Sequence, residues 1–141
     1  MKKLLLLMLT LLFVGSISAQ SNEGTNLWFG FMEHRDAGRT TMVVMITSKQ
    51  NTSGTVTLPL LDWTTSFTVE ADQVEVIELP QIAETLGSEM ITQTGAQIRS
   101  VLPVSAYIHQ YFDLRSEASI VLPIDAISTE YFVMSYTGIQ N

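Results

Sequence analysis

The chain has 141 residues, no cysteine, and seven Lys or Arg against fourteen Asp or Glu, for a formal net charge of −7. The missing cysteine removes disulfides, thiolate metal sites and a cysteine nucleophile together. An acidic surface without a Lys/Arg cluster repels phosphate backbones, which excludes nucleic acid as a partner.

Lys2 and Lys3 precede an apolar run from Leu4 to Val14 that only Thr10 interrupts, and Gly15, Ser16, Ser18 and Ala19 follow as small residues. That order predicts a signal peptide over 1–19, cleaved after Ala19 or alternatively after Ser18. The apolar core is too short to span a bilayer, and no later run reaches about 18 apolar residues, so no membrane span is expected. No cysteine stands at the cleavage point for lipid attachment, and the Lys-Lys start with no cysteines favours a Gram-negative bacterial source. The expected product is exported to the extracellular space or cell surface, with the periplasm as an alternative. Loss of the leader leaves five basic against fourteen acidic residues, a net charge of −9. The remaining segment, 20–141, suffices for one domain with one core.

Along that segment, Leu27-Trp28-Phe29-Gly30-Phe31-Met32 is an apolar block expected in the core, with Gly30 admitting a neighbouring backbone or ring. Glu33 to Arg39 is a charged turn. Thr41 to Thr47 is a strand apolar on both faces. Asn51-Thr52-Ser53-Gly54 reads as a turn before Thr55 to Leu58, which alternates with period two. Ser66 to Val69 alternates likewise, and Ala71-Asp72-Gln73 turns into Val74 to Leu79. Ile82 to Leu86 has room for one helical turn before Gly87. Ala96 to Arg99, Val104 to His109, Ser119 to Leu122 and Tyr131 to Tyr136 complete the strands, with Asp125 placed to cap a turn over Ala126 and Ile127.

All four prolines follow a leucine: Leu58-Pro59, Leu79-Pro80, Leu102-Pro103 and Leu122-Pro123. Proline gives no N–H to a ladder, so these pairs are expected at strand ends. Eight or nine short strands with turns between them predict an all-β fold, an antiparallel β-sandwich, with a closed barrel as the alternative.

No catalytic constellation emerges. His34-Arg35-Asp36 spells a kinase tripeptide, but the asparagine, glycine-rich loop and other parts of that signature are absent. Ser105 and His109 fall on one strand face, ~13 Å apart at about 3.3 Å per residue, too far for a nucleophile and its base. Glu33, His34 and Asp36 read as a solvated turn, with only His109 as a further histidine, so no metal and no cofactor is expected, a calcium site built from loop carboxylates being the alternative. One stretch remains as a candidate contact surface. Tyr107, His109, Tyr111 and Phe112 put aromatic rings along a strand, able to stack on a sugar or anchor a protein partner.

Four blocks carry a resemblance. Asn26 to His34 (Asn-Leu-Trp-Phe-Gly-Phe-Met-Glu-His) follows the leader. Ser53-Gly54-Thr55-Val56 and Val101 to Tyr107 come next, and Ser119 to Tyr136 closes the series. Together they resemble the N-terminal domain of the IgGFc-binding protein family, which also occurs in surface proteins of Bacteroidota-type bacteria. The resemblance implies an all-β extracellular module for adhesion or binding, without implying immunoglobulin binding, and it carries no catalytic residue. The family domain continues past the segment matching Tyr131 to Tyr136, whereas this chain stops at Asn141. That implies a fragment or half-domain, with a strand edge or apolar face left uncovered for association. The function expected is therefore an exported, non-catalytic binding or adhesion module contacting an extracellular protein or glycan. A structural spacer without a ligand is the alternative.

Overall fold

Among the described residues, runs rich in Val, Ile and Thr, broken by short turns, form seven strands: β1 (Gly24–Phe29), β2 (Thr41–Thr47), β3 (Thr52–Leu58), β4 (Trp63–Val69), β5 (Val74–Glu78), β6 (Ala96–Phe112) and β7 (Arg115–Val121). The structure is a computed structural model that describes residues 21–87 and 90–130. The expected leader, 1–19, and the expected last strand, 131–136, lie outside those residues. Among the described residues the only helical pieces are two 3-10 turns, Gln81–Ala83 and Ile124–Ala126, and no helix is long and apolar enough to cross a membrane.

The fold is all-β and antiparallel, and its strands form one curled sheet organised by β6. This strand is 17 residues long, and its two ends have different neighbours. Its first part pairs with β1 on one side and β3 on the other, and β4 continues beyond β3. Its second part pairs with β7 and β2, and β5 continues beyond β2. The two expected strands at 96–99 and 104–109 are thus one. Leu102-Pro103 does not end a strand as expected. It lies where β6 leaves β3, last paired at Ser100, and joins β2, first paired at Ser105, and it falls within the bulge of the β1–β6 ladder between Arg99 and Val104, so the missing proline N–H is lost where pairing is already irregular. Thr52 Oγ1 accepts from the Leu102 N–H at 3.0 Å and Ser48 Oγ donates to the Pro103 carbonyl at 3.0 Å, which holds the crossing. The other three Leu-Pro pairs do stand at strand ends. Pro80 and Pro123 each open a 3-10 turn.

Inward-facing side chains of both halves meet in one core. Leu27, Val44, Ile46, Val56, Leu58, Ile98, Val104 and Ala106 are fully buried at its centre. Burial of each of the larger ones contributes about 1.5–3 kcal/mol. The apolar block at the start of the chain divides by strand parity. Leu27 and Phe31 face inward and Phe29 packs partly against the core, but Trp28 is 44% exposed, contrary to its expected place in the core. In β1 a residue next to a buried one must point to the opposite face. Gly30 is likewise not a site of close approach, since a Cβ there would meet nothing within 4 Å. Gly54, expected in a turn, is inside β3 and paired with both Phe67 and Ser100.

Asp125 lies inside the Ile124–Ala126 turn and makes no capping bond; Pro123 holds the N-cap position and pre-sets the backbone. Asp125→Ala should therefore change the unfolding free energy by less than about 0.5 kcal/mol in urea titration. A loss near 1 kcal/mol, the value of a working cap, would contradict this account.

Candidate binding faces

The outer face of β5, β2, β6 and β7 is built by register. Tyr107 lies opposite Met45 and Ile120, and Met45 lies opposite Val76. In the next row His109 lies between Val43 and Ala118, and Tyr111 stands opposite Thr41 and Ser116. Tyr107 is 41% exposed and Tyr111 39%, while His109 is half-buried because its ring stacks on Tyr111 at 4.8 Å between centroids. Val74, Val76, Ile120 and Leu122 are exposed on or beside the same face, so it is an apolar surface with aromatic rings along one strand.

Three of the four expected contact residues come together here. The fourth does not. Phe112 is one residue beyond Tyr111 and so points to the opposite side of β6, where the Arg39 guanidinium lies over its ring at 4.4 Å. Phe112 is thereby a support for the charged turn and belongs to a different surface.

That turn, 33–40, is held by a carboxylate that no motif or periodicity singles out. Glu84 is 4% exposed. Its Oε1 accepts from the His34 N–H at 3.0 Å and from Gln110 Nε2 at 3.1 Å. Its Oε2 accepts from the Gly38 N–H at 2.8 Å and from Gln81 Nε2 at 3.2 Å. The potential ligands in the turn are engaged separately. His34 Nδ1 accepts from the Asp36 N–H at 3.1 Å, Asp36 pairs with Arg115 at 2.9 Å, and Glu33 accepts from the Gly87 N–H at 2.7 Å. Among the described residues no three His, Asp or Glu side chains gather as a metal site would. A shallow cleft of about 280 Å³ opens beside this region between Gly30–Met32 and the β6–β7 pair, with Phe31, Ile108 and Gln110 at its floor and Glu117 as its one carboxylate.

The outer face of the other half has contrasting chemistry. Thr64, Thr57, Gln97 and Trp28 form one row across β4, β3, β6 and β1; Ser66, Thr55, Arg99 and Asn26 form the next. Gln97 is buried beneath the exposed side chains. Its amide is best satisfied with the oxygen turned to accept from Trp28 Nε1 at 3.3 Å and Arg99 Nε at 3.1 Å, two groups that only donate, and with the Asn26 amide turned likewise so that its NH2 donates to the same oxygen at 2.8 Å. The signal for Trp28 was present in the sequence as parity with Leu27, but a dense apolar block hides which parity faces inward.

No family model, curated protein or solved structure matches the chain.

Proposed function

We propose that the protein is an exported, non-catalytic bacterial binding module of the cell surface or secreted space. The apolar outer face of β5, β2, β6 and β7 is its contact surface. The observation that carries this reading is the exposure of Tyr107 and Tyr111 among Val76, Ile120 and Leu122. A spacer has no use for a contiguous apolar face in water, whereas aromatic and aliphatic side chains of this kind dominate the centres of protein contacts. The face carries few charges, with Glu78 at its edge opposite Val43, so desolvating it costs little. The resemblance of the Asn26 to His34 and Ser119 to Tyr136 blocks to an adhesion-type extracellular domain supports the same reading, as does the leader-like start.

The test is adhesion of beads coated with the purified chain to surfaces carrying mucin or collagen. The Tyr107→Ser/Ile120→Ser double variant should retain less than about a tenth of wild-type beads, since contact-centre residues typically contribute more than 1 kcal/mol each. Equal retention of variant and wild type, or none of either, would leave the spacer as the better description.

A further inference from the structure

We propose that the outer face of β1, β3, β4 and β6 is a second binding site, a flat platform for a glycan that carries uronic-acid residues beside neutral pyranoses. This goes beyond the reading above and uses a different surface, so the two stand or fall separately.

The platform has the chemistry such a ligand needs. Every outward position from Thr64 across to Trp28 and from Ser66 across to Asn26 bears a hydroxyl, amide, guanidinium or indole group. Sugar hydroxyls both donate and accept, and Thr, Ser, Asn and Gln side chains answer them in kind. Thr64, Ser66 and Thr68 are exposed, and Thr55 and Thr57 are partly so. At one end Trp28 is 44% exposed, so part of its ring is presented to solvent on this face. Its N–H is tied to Gln97, which fixes the ring on the sheet and leaves its apolar face for the C–H side of a pyranose.

Arg99 selects the acidic ligand. It is the one charged side chain pointing outward from these four strands, in a chain whose formal net charge is −7. Its Nε and Nη2 face Gln97, which orients the guanidinium and leaves both hydrogens of Nη1 for a ligand. A carboxylate on a sugar stacked at Trp28 meets this group from the neighbouring row. A guanidinium held in place loses little freedom on binding, and the charge-assisted bond is about twice as strong as a neutral one. At physiological salt the acidic residues beyond about 8 Å are screened, so the local charge at Arg99 governs the encounter. The ion pair of Glu23 with Lys49, at 2.8 Å, neutralises an acidic residue just before β1.

The test is titration of the full chain with a hyaluronan octasaccharide, which alternates uronic acid with a neutral sugar, and with neutral cello-oligosaccharide as comparison. Trp fluorescence and amide chemical shifts are followed together. Expected are saturable quenching by hyaluronan and shifts confined to Asn26, Trp28, Thr55, Gln97 and Arg99. Binding should be about tenfold weaker in Arg99→Gln and in Trp28→Ala. Arg99 is exposed, so its variant should melt close to wild type and decides the matter alone if the Trp28 variant, which loses a half-covered indole and a bond to Gln97, does not. The proposal is overturned by any of three results: no saturable change, equal binding of the neutral oligosaccharide, or shifts that map to Tyr107–Tyr111.

Discussion

Truncating Glu84 to alanine is expected to lower the unfolding free energy by about 3 kcal/mol, seen as an earlier urea midpoint at unchanged slope. The carboxylate accepts four hydrogen bonds, two of them, from the His34 N–H and Gln110, in fully buried surroundings. Removal leaves the His34 N–H without a partner, at a cost of about 1–3 kcal/mol, and leaves Gln110 Nε2 with only its bond to Thr40 Oγ1 at 3.2 Å, so a charge-assisted bond is lost there as well. Gly38 and Gln81 are partly exposed and can turn to water instead. Glu84→Gln keeps one acceptor oxygen, so it should fall between the alanine variant and wild type. The damage is local before it is global: amide exchange at His34 and Gly38 should accelerate first, because those N–H groups lose their acceptor. An unchanged midpoint in Glu84→Ala would mean that the 33–40 turn is held by something other than this carboxylate.

Glu84 also marks a limit of what the sequence discloses. Period-two alternation made two strands legible: 66–69 covers the last four residues of β4 and 74–79 runs one residue past β5, while 41–47, apolar on both faces, coincides with β2. Alternation is a local property, set by the pleat, and needs no knowledge of neighbours. Glu84 sits in a stretch without periodicity, and its role depends on partners 26 to 50 residues away in the chain. The same limit explains Pro103. Its position inside β6 is tolerable only because β3 and β2 hand over there, a fact of topology invisible in the Leu-Pro pair itself.

The two outer faces repeat the lesson at the level of function. Tyr107, His109 and Tyr111 share a parity within an obvious strand, so their common face was evident, while the adjacent aliphatic residues Val76 and Ile120 come from other strands and were not. Phe112, one residue on, falls on the opposite side of the pleat. Trp28 was hidden for the opposite reason: every residue from Leu27 to Met32 except Gly30 is large and apolar, so no alternation tells inside from outside. Its exposure follows only from the pairing of β1 with β6, which fixes Leu27 against Ile98 in the core and Trp28 against Gln97 outside. The curled sheet thus presents an apolar aromatic face on one half and a polar, hydrogen-bonding face on the other.

Gly54→Ala is the second large effect, at about 3 kcal/mol, while Gly30→Ala should be close to neutral. The sequence suggests the reverse, since Gly30 lies among aromatic rings and Gly54 in an apparent Asn-Thr-Ser-Gly turn. In the fold a Cβ on Gly54 would collide with the Arg99 carbonyl oxygen and approach the Phe67 ring at 2.7 Å. The carbonyl belongs to β6, paired on both sides at this level, and Phe67 is 3% exposed in the core. Neither can retreat without moving the sheet, so the methyl group produces strain instead of packing. For a domain of about 100 residues a loss of 3 kcal/mol lowers the melting temperature by roughly 10–20 °C. A calorimetric scan of both variants reads the contrast directly. Because the displaced carbonyl is that of Arg99, the Gly54 variant should also weaken the octasaccharide titration below its own melting transition, whereas the Gly30 variant should not. Equal melting temperatures for the two variants would show that β3 and β6 are not packed as closely as the structure places them.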